Sequence, residues 1–273
     1  MLKNICLYNG IKTNFLDLHQ IAEYLSDKLG KIEIEIREDF LVYCLAKMSS
    51  REREIAIETL AKEIAKSRIL DPYRKEEVRN PLDIEINYEK KYLLNGCHKP
   101  LGNIYNGFNL ILIFSKIIPE DEANLSYCHI VFTNQLFATW DEKDLRYHAR
   151  VIVFGFPSLI STTGIVEAPA KPREFYLKKQ MGIDPFILKE EFKGRFIDYD
   201  DPYLTEVMKG YVMQAIFFHL FGEPFCQDKS CRLYNAHWQE EVIWAQLKSE
   251  YEFCPKHQEV LTQIKSQTCD YTK

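Results

Sequence analysis

Four side chains toward the end of this 273-residue chain constrain its fold more than any others. Cys226 and Cys231 form a C-x4-C pair, and Cys254 and His257 follow as Cys-Pro-Lys-His. Thiolate and imidazole are the donors tetrahedral zinc prefers, and a set of four leaves no open position for water. The spacing predicts one structural zinc ion held by Cys226, Cys231, Cys254 and His257, with a pair of buried cysteines beside an unrelated Cys and His as the alternative. The other five cysteines, Cys6, Cys44, Cys97, Cys128 and Cys269, are isolated in sequence. In a reducing cytosol they are expected as buried or tail thiols, not as a disulfide framework.

Charge and hydropathy narrow the partners. A net charge of -5 argues against a broad nucleic-acid footprint. Apolar runs such as 110–114 and 215–221 are too short to span a bilayer. The opening Met1-Leu2-Lys3-Asn4-Ile5-Cys6 has no secretory pattern. The expectation is a cytoplasmic protein with a protein or peptide ligand, no membrane and no nucleic acid.

Periodicity gives a mixed α/β chain. Residues 2–8 read as a strand, Leu18, Ile21, Ala22, Leu25 and Leu29 as a helix ending at Gly30, and 31–36 as an alternating strand. Ser49 and Glu52 form a capping box ahead of the stripe Ile57, Leu60, Ala61, Ile64 and Ala65. The first seventy residues thus read β-α-β-α-α. Residues 71–107 are expected as loops with one or two short elements. Leu110 to Phe114, Cys128 to Phe132 and Val151 to Phe156 read as buried strands, with a hairpin or surface loop at 139–144. A Pro-stiffened loop is expected over 157–173, a long helix from about Tyr203 to Phe221, and another around Ala236 to Glu250. With no clean linker, one domain with two lobes is expected, about 1–90 and 91–273.

Candidate chemistry outside the cysteine cluster is sparse. His219 lies in an apolar helix, as a core histidine or, with His148, His237 or Glu167, as part of a second metal site. His237 and Glu241 are four apart, as on a solvated helix face. Cys97-His98 and Cys128-His129 are adjacent pairs, and in a strand neighbours point to opposite faces. Ser161-Thr162-Thr163-Gly164, with Glu167, Lys171 and Arg173, is a candidate pocket wall or a structural crossover. No Walker A, Rossmann or Gly-x-Ser-x-Gly motif is present.

The stretch Ala215-Ile216-Phe217-Phe218-His219-Leu220-Phe221-Gly222-Glu223-Pro224-Phe225-Cys226, with Cys231, Leu233, Cys254 and His257 downstream, resembles the signature of the archaemetzincins, zincin-fold metallopeptidases. That signature runs H-E-x-x-H-x-x-G-x-x-H-C-x4-C-x-M, followed by C-x2-C. Gly102 to Phe108, Thr133 to Phe137 and Ser161 to Pro169 look like segments of an uncharacterised, mainly archaeal group described as metallopeptidases. The resemblance implies a zincin-like mixed sheet with flanking helices and a C-terminal zinc knuckle. It places His219 on the second histidine, Gly222 on the glycine, and the four C-terminal donors on the knuckle, with His257 in place of the last thiolate. The first histidine, the glutamate and the third histidine fall on Ala215, Ile216 and Phe225, and the methionine on Leu233. Two of three catalytic zinc ligands and the general base are replaced by apolar side chains. The implied protein is a non-catalytic relative with a structural zinc, or an active hydrolase whose site has moved, with His219 and Glu167 as its candidates.

Overall fold

The computed structural model describes residues 2–11, 13–75, 79–95 and 102–270. The chain opens with β1 (Asn4–Asn9), α1 (Leu18–Leu29), β2 (Glu33–Arg37), α2 (Phe40–Ala46) and α3 (Ser50–Lys66), the expected β-α-β-α-α order. Next come β3 (Arg68–Ile69), α4 (Asp83–Asn95), β4 (Ile104–Asn106) and α5 (Gly107–Ser115). A 3-10 turn at Glu120–Glu122 leads to β5 (Tyr127–Thr133), the hairpin of β6 (Leu136–Asp141) and β7 (Arg146–Arg150), β8 (Ile152–Val153) and β9 (Ser158–Ser161). The remainder is helical: α6 (Thr162–Glu167), α7 (Arg173–Gln180), α8 (Pro185–Glu191), α9 (Leu204–Phe221), α10 (Gln239–Ile243) with a π turn at Trp244–Lys248, and α11 (Pro255–Asp270). No helix among the described residues is long and apolar enough to cross a membrane.

Two compact units result, one of Met1–Lys12 with Glu33–Gly164, the other of Thr13–Ile32 with Ile165–Lys273. The position near residue 90 expected to separate two lobes falls inside the first unit, within α4.

Both sheets belong to the first unit. The larger has the order β2-β1-β5-β9-β8, and its first four strands run parallel with β8 antiparallel at the edge. The smaller has the order β3-β4-β6-β7. β5 is buried along nearly its whole length, the signature of a parallel strand covered on both faces. That is why Cys128 and His129, on opposite faces, are both buried. Helices α2, α3 and α5 close over one core in which Tyr8 meets Phe40 edge-on at 5.0 Å and Phe40 stacks on Phe114 at 5.3 Å. The predicted capping box opens α3: the Glu52 N–H donates to Ser49 Oγ, and the Ser49 N–H donates to the Glu52 carboxylate at 2.9 Å.

Several local expectations are corrected. Residues 110–114 are helical, within α5, because Asn106 caps the Phe108 and Asn109 N–H groups and starts a turn. A five-residue apolar run carries no period that separates strand from buried helix. Only Ile152–Val153 of the 151–156 run pairs as strand. The 157–173 segment is not an extended loop: Ser158–Ser161 is a fully buried strand beside β5, and α6 follows it directly. α4, thirteen residues long, occupies ground expected to be mostly loop. The helix expected over 236–250 starts later, at Gln239, and ends in the π turn.

The second unit is built on α9, buried on almost every side from Leu204 to Phe217, as a helix apolar all round must be. It stops at Gly222, whose φ of 72° suits glycine best. α1 starts against it: the Asp17 N–H donates to Thr205 Oγ1 at 2.9 Å, and the Asp17 carboxylate caps the His19 and Gln20 N–H groups. The π turn lies close to α9. A Cβ on Gly210 would stand 1.9 Å from Gln246 Oε1, so any larger residue there has to displace the Gln246 amide.

Candidate metal centre

The four predicted donors meet in the second unit. Cys226 and Cys231 flank a tight turn in which the Asp228 N–H donates to Cys226 Sγ at 3.3 Å and the Cys231 N–H to the Asp228 carbonyl at 3.1 Å. The Cys226 N–H then donates to the Leu233 carbonyl at 2.9 Å, folding the returning chain back onto the turn. Cys254 immediately precedes α11, whose first residue is Pro255, and the Cys254 carbonyl accepts the Gln258 N–H at 2.9 Å. His257 thus lies on the first turn of α11, where its ring faces the same point as the thiols.

One donor atom from each of the four residues lies within 4.8 Å of all the others. Cys226 Sγ is 3.8 Å from Cys254 Sγ, and His257 Nδ1 is 3.7 Å from Cys231 Sγ and 3.1 Å from Cys254 Sγ. Tetrahedral geometry at zinc–sulfur and zinc–nitrogen distances of about 2.3 and 2.0 Å puts sulfurs about 3.8 Å apart, and sulfur about 3.5 Å from nitrogen. The donor set therefore fits a tetrahedral ion in size and in chemistry. Without a cation, burial pushes the Cys231 thiol up to about 12 and raises that of Cys226. Burial and Lys256 lower His257, keeping the imidazole neutral, the form that binds a metal. Cys231, Cys254 and His257 are buried and Cys226 is half-buried.

Surrounding groups hold this turn in place. Arg232, between Cys231 and Leu233, is buried and ion-pairs with Glu206 on α9 and with Glu252 at 3.3 Å. The Gln246 amide donates to the Arg232 carbonyl at 3.0 Å, and Trp244 Nε1 to Ser230 Oγ at 3.1 Å. Phe217 meets the His257 ring edge-on at 5.4 Å.

A second group of donor types lies in the first unit: Cys6, Glu122 and His129, all buried. Sequence reasoning passed over it, because the three come from β1, the turn before β5, and β5 itself. It is already filled. The Arg37 guanidinium grips the Glu122 carboxylate at 2.6 and 3.1 Å, the Tyr43 hydroxyl donates to it at 3.0 Å, and His129 Nδ1 is 2.9 Å from the Tyr8 hydroxyl. His129 Nε2 is 3.2 Å from the Glu122 carbonyl. Burial pushes the Cys6 thiol up to about 12 even against the Arg37 charge. With the Arg37 guanidinium already on the Glu122 carboxylate, the place a metal cation would take in this group is occupied.

His219 and Glu167 are not brought into any such group. Among the described residues the close clusters of three or more metal donors are the two above, and neither includes His219, Glu167, His148 or His237. His219 is half-buried near the end of α9, while Ala215 and Ile216, one turn earlier, are fully buried and Phe225 is 40% exposed. Glu167 is exposed and accepts from the Tyr199 hydroxyl at 3.1 Å. Lys171 is lowered by burial and stands 5.1 Å from the Phe196 ring. Ser161 and Thr163 donate their hydroxyls to the Gln135 and Asn134 carbonyls at 2.6 and 2.7 Å, so they act as structural ties. Glu241 is no helix-face partner for the His237 ring; its carboxylate accepts the His237 and Trp238 N–H groups at the start of α10. His148 Nε2, on β7, is 2.9 Å from Asp144. Cys97 and His98 lie outside the described residues, as does the Cys269 side chain, whereas Cys6, Cys44 and Cys128 are buried free thiols.

Residues 1–264 match the family model described as "Probable metallopeptidase family (DUF6775)". The chain belongs to that family. No curated protein matches it. Among solved structures, the crystal structure of archaemetzincin (amzA) from Methanopyrus kandleri at 1.5 Å resolution is similar, at 12% identity and a TM-score of 0.46 over 96% of this chain and 95% of that one.

Proposed function

We propose that this chain is a zinc-stabilised, cytoplasmic member of its metallopeptidase family that binds a protein or peptide ligand without cleaving it. One observation carries the reading. Where a peptidase of the metzincin type places its first zinc histidine and its general base, this chain has Ala215 and Ile216, both fully buried. Substrate and water cannot reach groups sealed in a helix core, and His219 alone cannot hold a catalytic ion. The four-donor site at Cys226, Cys231, Cys254 and His257 would bind one zinc ion with no open position, fastening the turn after α9 to the start of α11. Zinc binding at such a site is folding free energy.

Elemental analysis of the purified chain, paired with a peptide-hydrolysis assay, tests the reading. One tightly held zinc per chain and no hydrolysis are expected. A second, readily chelated zinc accompanied by hydrolysis would overturn it in favour of an active hydrolase with a relocated site.

A further inference from the structure

A groove in the first unit deepens this reading by pointing to the chemistry of the ligand. It runs between α3 and the segment that follows α5, and encloses about 850 Å³, within the range of sites that hold ligands. Its floor is apolar, formed by Met48, Ala56, Leu60, Ile113 and Ile117. Carboxylates edge it on both sides: Glu52 and Glu63 from α3, Glu120 and Asp121 from the 3-10 turn opposite.

The helix itself is divided between two tasks. Ile57, Leu60, Ala61 and Ile64 face the core. Glu52, Ala56, Thr59 and Glu63 recur every three or four residues and form a second stripe along the groove. Ile55, on the same wall, is an isoleucine left 60% exposed. From Glu52 to Glu63 the stripe extends about 16 Å at the helical rise. That length takes about five residues of extended chain, too long for a small amine to occupy fully.

Charge then selects the occupant. Glu52 caps α3, Glu63 pairs with Lys66, and Glu122 at the inner end is held by Arg37. Glu120 and Asp121 are exposed and form no ion pair among the described residues. Lys47 and Lys116 are the lining cations, and Lys47 lies over the Tyr43 ring at 5.1 Å. With Glu63 and Glu122 paired, Glu52, Glu120 and Asp121 stand against Lys47 and Lys116, an excess of one negative charge around an apolar floor. We infer that the groove between α3 and the Lys116–Glu122 segment receives an extended peptide in which lysine or arginine flanks a bulky apolar residue. The inference rests on the proposed non-cleaving binding role.

Fluorescence anisotropy with the labelled peptide Lys-Lys-Leu-Phe-Lys-Arg, and with its counterpart carrying Glu at the basic positions, tests it on the full chain. The basic peptide is expected to bind saturably, at least tenfold more tightly than the acidic one, and to weaken as salt is added. Thr59→Trp, at an exposed position that fills the groove, and the double change Glu120→Lys with Asp121→Lys should each weaken binding at least tenfold. Circular dichroism and melting should show both variants folded. No saturable binding of the basic peptide, or binding that both variants leave intact, would overturn the inference. Equal affinity for octylammonium would also overturn it, by assigning the groove to small amines. Mass spectrometry of the bound peptide separates the two readings. An intact peptide supports both, and a cleaved one keeps the groove but removes the non-cleaving role. Absent binding with one zinc and no hydrolysis removes the groove alone.

Discussion

Two clusters in this molecule carry metal-type donors, and they have opposite fates. Cys6, Glu122 and His129 converge in the first unit, and Cys226, Cys231, Cys254 and His257 in the second. In the first, the protein supplies its own cation, Arg37, and distributes the remaining hydrogen bonds among Tyr8, Tyr43 and backbone. In the second, the donors face one another at spacings that suit a tetrahedral ion, and the thiols and imidazole converge on one another. Donor identity alone does not define a metal centre; what distinguishes the two is whether a side chain already occupies the positive position.

The largest expected effect lies at the four-donor site of the second unit. Cys254→Ser or strong chelation should abolish zinc binding and unfold the second unit, since structural zinc contributes on the order of 10 kcal/mol of apparent folding free energy. Elemental analysis and melting curves would check it, and Cys6→Ser should leave zinc content unchanged. Retained zinc in Cys254→Ser would remove the distinction between the clusters.

On the protein-filled side, Arg37→Met should cost about 3–5 kcal/mol, because it strands a buried carboxylate. The double variant Arg37→Met with Glu122→Leu should recover most of that loss in denaturant titrations. The same pair predicts a pH dependence. Burial alone would raise the Glu122 carboxyl, but the Arg37 hydrogen bonds and charge, with the Tyr43 hydroxyl, outweigh it and hold it below the ordinary range. Its contribution is therefore complete above the unfolded carboxylate value of about 4.3 and fades as pH falls through the lower folded value. Stability measured from pH 6 to 3 should show a shallower acid loss in Glu122→Gln than in the unaltered chain.

Smaller effects sharpen the contrast in the supporting packing. Gly210→Ala should cost about 1–3 kcal/mol by pushing Gln246 off the Arg232 carbonyl that it anchors beside Cys231. Ser49→Ala should cost about 1 kcal/mol through the lost cap of α3 and leave zinc affinity unchanged. A melt of each variant with and without chelator would separate effects on the knuckle from effects elsewhere.

The same division explains what the sequence made legible. The four C-terminal donors stand in two short clusters, so their spacing identified the group before any fold was known. Arg37 and Glu122 are separated by 85 residues and meet only because β1 pairs with both β2 and β5; no local pattern records that. The Ser49 cap and the stripe from Ile57 to Ala65 located α3, since caps and helical period are local. α5 carries no such local signal, because Leu110 to Phe114 is apolar at every position and its start depends on one asparagine. The groove beside α3 escaped notice because its second wall comes from residues more than fifty positions away.

The full burial of Ala215 and Ile216 has a consequence for the history open to this chain. Placing a histidine and a glutamate there would put an imidazole and a carboxylate into a helix core that has closed around a methyl and a sec-butyl group, at a cost of several kcal/mol for each unmatched polar group. Neighbouring side chains would have to retreat before either change became tolerable. Packing thus works as a ratchet, since the two polar side chains cannot be introduced at this position one substitution at a time.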